Sequence, residues 1–185
     1  MPSNNAMNPQ TLFAAFQAAL DEWNAIYDVE KRDDGSIHLS FGFQLQGKIS
    51  RVTGHFEFRH AYVRILAAPV IPLPRKNLAQ MLRLVAMVNQ NIYAGCFEID
   101  LETHGLRYRH YLDAEGFSSL PKTLVHNNML IPFQSFERYG TAFVEVAAGH
   151  ADAETAFAAT RRGDEDDGEE DEDTPAPPPP PEDPP

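Results

Sequence analysis

The clearest pattern in the chain is a strict alternation after Gly35. Ile37, Leu39, Phe41, Phe43 and Leu45 fall on one side, and Ser36, His38, Ser40, Gly42, Gln44 and Gln46 on the other. Period two over this length predicts a strand with one buried and one wet face. A short strand from Tyr27 to Lys31 precedes it, with Asp33-Asp34-Gly35 supplying turn chemistry between them. After Gly47, Val52, Phe56 and Phe58 share a face opposite Arg51, Thr53, His55 and Glu57. Beyond a tight connection at Arg59-His60, Ala61, Val63 and Ile65 alternate with Tyr62, Arg64 and Leu66. Connections this short imply antiparallel neighbours.

Helical spacing brackets this meander. Asn8 is a good N-cap and Pro9 suits a first helical position, and Leu12, Phe13, Phe16, Leu20 and Trp23 then form one apolar stripe. After Pro69, Pro72 and Pro74, a second helix is predicted from Arg75 to Tyr93, its buried stripe made of Leu78, Met81, Leu82, Val85, Val88 and Ile92. A hairpin follows, turning at Thr103-His104-Gly105. Pairing Leu101 with Leu106 sets Asp100 against Arg107, Glu98 against Arg109 and Ile99 against Tyr108, which matches every pair in charge or hydrophobicity. Ser119-Leu120-Pro121 opens a last helical region. Pro132 is expected to break or kink it, leaving a helix from Pro132 to Ala148 that stops at Gly149. Asp152 then caps a short final helix. The predicted fold class is α+β, one antiparallel sheet flanked by helices in the order α-ββββ-α-ββ-α.

Composition changes this picture mainly at the C-terminus. The 185 residues carry a net charge of −12, but the segment Asp164–Pro185 holds eleven acids and no Lys or Arg, with eight prolines after Thr174. Such a segment cannot offset its ordering entropy by burial. The expected organisation is a disordered N-terminus at 1–8, an α+β domain at 9–162 and a disordered acidic, proline-rich tail at 163–185. The tail reads as solubilising, or else as a docking segment for a basic or polyproline-reading partner. The remaining residues are nearly neutral in net charge, which argues against a nucleic-acid platform. With the polar, uncharged start Met1–Asn8, the single cysteine and the short apolar runs, the expectation is a cytoplasmic protein with no membrane span.

Candidate chemistry is sparse. There is no phosphate-binding glycine loop, no dinucleotide fingerprint, no H-E-x-x-H and no G-x-S-x-G. Cys96 is the one thiol nucleophile, with no histidine placed beside it by spacing, so an inert thiol is the simpler reading. His38 and His55 lie on the polar faces of neighbouring strands, but zinc needs three or four ligands and no third appears. Glu98, Asp100 and Glu102 form a carboxylate cluster that reads as surface ion pairing. Arg51, Arg59, Arg64, Arg107 and Arg109 form a dispersed basic patch on a sheet face, mixed with acids and suited to a protein-binding rim. No catalytic residue, metal or cofactor is expected.

The stretch Val88-Asn89-Gln90-Asn91-Ile92-Tyr93-Ala94-Gly95-Cys96-Phe97-Glu98-Ile99-Asp100 resembles an asparagine-rich helix end, a glycine and an aromatic strand of the YbjN domain. Gly105-Leu106-Arg107-Tyr108-Arg109 and the region Tyr139–Ala156 are similar to its next strand and C-terminal helix. This family is described as bacterial sensory-transduction regulators, with a fold similar to type III secretion chaperones. The resemblance implies a small chaperone-like domain, paired as a homodimer and without catalysis. It also implies structural roles for Asn91, Gly95, Phe97 and Arg109, with Asn91 at the helix end and Gly95 at a sharp turn. The acidic tail and Pro132 depart from the family pattern. The leading functional expectation is a non-enzymatic protein- or peptide-binding module. The alternatives are a small-molecule site or small enzyme using Cys96 or a histidine, and a structural dimer component.

Overall fold

A computed structural model describes residues 7–166. Helix α1 (Pro9–Glu22) begins where Asn8 accepts the Thr11 N–H at 2.9 Å, and it buries Leu12, Phe16, Ala19 and Leu20. Met7, expected in a disordered N-terminus, is instead buried, and its carbonyl accepts the Ala61 N–H at 3.1 Å. Its apolar side chain and this backbone bond tie the segment down.

Strands β1 (Tyr27–Lys31), β2 (Ile37–Gln44), β3 (Arg51–Arg59) and β4 (Tyr62–Pro69) form the meander. Strands β5 (Cys96–Ile99) and β6 (Leu106–Asp113) form the hairpin. All pairings are antiparallel, in the order β1-β2-β3-β4-β6-β5. The alternation predicted for β2 and β3 holds. Ile37, Leu39, Phe41, Val52, Phe56 and Phe58 are buried, with Phe16 of α1 tilted onto Phe58 and Phe56 at 5.2 and 5.7 Å. Gly54 makes room here, since a Cβ on it would lie 3.1 Å from the Phe133 ring.

Several expectations about the later elements need correction. Helix α2 (Leu78–Asn89), entered through a 3-10 turn at Arg75–Asn77, ends four residues before Tyr93. The Asn91 amide donates to the Met87 carbonyl at 3.1 Å and closes the helix end, while the Asn89 side chain turns away to the sheet. The buried stripe is Met81, Leu84, Val85 and Val88, a rotation that leaves Leu82 exposed.

The hairpin register differs by two residues from the predicted one. Ile99 faces Leu106, Glu98 faces Arg107, Phe97 faces Tyr108 and Cys96 faces Arg109. Asp100 belongs to the turn, where its carboxylate accepts the Glu102 and Thr103 N–H groups. These bonds, from Thr103 first and then Glu102, hold its carboxyl below the usual range.

Helix α3 (Lys122–Ala148) is not broken at Pro132, which is buried inside it. An interior proline costs about 3 kcal/mol. Burial of Val125 and Met129 before it, and of Phe133, Phe136 and Phe143 after it, outweighs that cost. Gly149 ends the helix at φ 76°, as expected. Asp152 accepts the Thr155 N–H at 2.8 Å and starts α4 (Ala153–Asp166). That helix is longer than expected and passes the boundary placed at 162. The rest of the expected tail, and residues 1–6, lie outside the described residues. Helices α1, α2 and α3 lie on one side of the sheet and α4 packs on α2 and α3. Among the described residues no helix packs on the opposite face of the sheet.

Candidate functional site at the open face and edges of the sheet

The open face carries the side chains that alternation assigned to water. One row reads Asp28, Ser40, His55, Leu66, Arg109 and Cys96 across all six strands. The next reads Glu30, His38, Glu57, Arg64 and Tyr111. All five arginines of the predicted basic patch stand on this face. Four are engaged: Arg59 and Arg64 share Glu57, and Arg107 and Arg109 share Glu98, the last at 3.2 Å. Glu57 was expected to be wet but is only 4% exposed. It is on the predicted face, yet Arg59, Arg64 and His38 all close on its carboxylate.

His38 lies 3.7 Å from Glu57. Burial, then the Arg32 charge, holds its imidazole below the ordinary range against the pull of Glu57 and Glu30. His38 and His55 are not cross-strand partners, since His38 faces Glu57 and His55 faces Ser40. Among the described residues no group of three His, Cys, Asp or Glu side chains is placed to hold a metal ion. Cys96 has Arg109 opposite it. His55 is the histidine of its row, three strand spacings or about 14 Å away. In the predicted acidic trio, Glu98 bridges two arginines, Asp100 caps the turn, and Glu102 is exposed within it.

Gly42, Thr53 and Ala68 leave the open face low near one end of the strands. A shallow cleft of about 560 Å³ there is lined by Ile26, Asp28, Ser40, Gly42, Arg51 and Thr53. The Arg51 guanidinium lies over Gly42, where a Cβ would come within 2.6 Å of it. A separate recess of about 270 Å³ between the Asn91–Ala94 loop and α3 includes no carboxylate, histidine or thiol in its lining.

The two edges of the sheet differ. In an antiparallel ladder, alternate residues point their N–H and C=O groups away from the partner strand. In β5, Asp100 bonds inward to Gly105, so Phe97 points outward. Both of its outward groups are taken by one side chain. The Asn89 amide donates to the Phe97 carbonyl at 2.9 Å and accepts the Phe97 N–H at 2.8 Å. Asn89 thus stands in for a neighbouring strand. In β1, the Arg32 N–H bonds inward to the Ser36 carbonyl, so Tyr27, Val29 and Lys31 point outward. Among the described residues no further strand pairs with β1, and Val29 is 41% exposed.

Asn91, Gly95, Phe97 and Arg109 occupy turn, packing and ion-pair positions. Asn91 closes α2. Gly95 sits at φ 71°, where a Cβ would come within 2.4 Å of the Tyr108 hydroxyl. Phe97 packs edge-on against Phe136 and Phe143 at 5.0 and 4.7 Å. Arg109 pairs with Glu98. Tyr108 donates to the Ala94 carbonyl, and burial pushes its hydroxyl up to about 12. Sequence reasoning missed Asn89 and Val29 as edge residues. An alternating pattern reports which face a residue takes and is silent on which strand lies at the edge. No family model matches the chain, and no curated protein matches it.

Proposed function

We propose that this domain is a non-enzymatic protein- or peptide-binding module, with a regulatory or chaperone-like role, that takes an extended segment along the outer edge of β1. The observation that carries this reading is the asymmetry of the edges: the β5 edge is closed at Phe97 by Asn89, whereas among the described residues no strand lies beside the outward groups of Val29. Main-chain bonds to an edge supply affinity, and alternate side chains supply specificity. The open face next to β1, with its low strip and Arg51, gives the second side of such a contact. A bacterial cytoplasmic setting accords with a single unpaired cysteine. The chaperone-like role draws on the YbjN resemblance. The homodimer that the resemblance implies would use a surface other than β1, where a second copy would set Asp28 against Glu30.

The test is Val29→Pro in the full chain. The Val29 N–H points outward, so the substitution removes a donor for an incoming strand while leaving the β1–β2 ladder its bonds. On an array of extended peptides of about seven residues, the wild-type chain should retain a subset of spots. The variant, with unchanged circular dichroism, should lose them. Spots that persist in the variant, or an array with none above background, would reject the reading.

A further inference from the structure

We infer that the occupant of the β1 edge is a heterologous strand carrying Lys or Arg at alternate positions on the side that faces Asp28 and Glu30; this rests on the edge reading above. Three occupants compete, and charge separates them. The first is a second copy of β1. The symmetric pairing that uses all five residues puts Val29 on the two-fold axis and sets Asp28 against Glu30 of the second copy on both sides. A slip of two residues sets Asp28, or Glu30, against itself. Like charges directly opposite each other destabilise a pairing. The second is the chain's own C-terminal segment, which has eleven acids, no Lys or Arg and eight prolines after Thr174. It would bring more acids against Asp28 and Glu30, and its prolines have no N–H to give to the edge.

The third is a foreign strand with basic residues. Asp28 and Glu30 lie on the open face, opposite Ser40 and His38 on β2. Asp28 has no ion-pair partner among the described residues, and Glu30 has only Arg32 at 3.6 Å. An incoming strand pairs open-face positions with open-face positions, so its basic side chains would meet both carboxylates. Its other side would bring apolar residues beside Val29. Cation at the open face and apolar residue at the helix side is therefore the pattern this edge selects.

The experiment compares three peptides of about seven residues on the full chain by amide-resolved NMR titration: Lys alternating with Val, Ser alternating with Val, and Glu alternating with Val. The Lys peptide should bind at least about fivefold more tightly than the Ser peptide, the Glu peptide more weakly still, with shifts centred on Val29 and Lys31. The exposed double variant Asp28→Lys/Glu30→Lys should reverse the Lys and Glu ranking, and Val29→Pro should abolish every response. If the Ser and Lys peptides bind equally and Val29→Pro removes both, the charge inference is overturned while the edge reading stands. If no peptide shifts the β1 amides, the edge reading itself falls. A concentration-dependent dimer abolished by Val29→Pro would identify a second copy as the occupant and overturn the inference.

Discussion

At the scale of single residues, Asn89 carries more of the architecture than its position suggests. It ends α2 and supplies both hydrogen bonds that a seventh strand would have offered to Phe97. Asn89→Ala should cost about 1–3 kcal/mol, because two backbone groups lose their partners at once. Asn89→Asp should recover little, since a carboxylate can accept the Phe97 N–H but cannot donate to its carbonyl. Urea midpoints check the cost, and amide exchange at Phe97 checks the mechanism. Exchange there should accelerate far more than at Tyr108 on the inner strand, and equal protection in wild type and variant would refute the role assigned to Asn89. Glu57 teaches a related point. Its place in the alternation gave the right face and the wrong solvation, because period two is blind to neighbouring side chains that close on a carboxylate.

Elements show where sequence reasoning ends. The strands of the meander follow from β-branched and aromatic residues at every second position, so their extents and faces were legible. The hairpin register was not, because a shift of two residues returns every side chain to the same face. The deciding feature was Asp100, whose short carboxylate caps its own turn and withdraws Leu101 from the ladder. In α3 the local rule for proline lost to tertiary packing on both sides of Pro132. Restoring the missing N–H with Pro132→Ala should therefore raise stability by about 1–2 kcal/mol, the interior-proline penalty less the packing of the buried ring. A melting temperature that falls would show that the ring contributes more than the hydrogen bond it removes. The edge site was the least legible part. Edge status is decided by strand order, and strand order depends on which pairs of strands meet across long connections.

For the molecule as a whole, acid is the natural probe of the open face. His38 binds a proton less readily when folded than its ordinary value of 6.5 allows, so the unfolded chain is favoured wherever it takes up that proton first. The contribution is fully present above about pH 6.5 and is lost as the pH falls toward the depressed value. His38→Gln should therefore show a shallower decline in urea midpoint between about pH 7.5 and pH 5 than the parent chain. Parallel declines would remove His38 from the account. The unequal borders of the sheet also set a limit on assembly. Adding strands end to end requires two receptive borders on each unit, as fibres do. With one border stoppered from within by an asparagine, each copy can terminate a growing sheet but cannot relay it, so copies of the domain do not chain through their sheets.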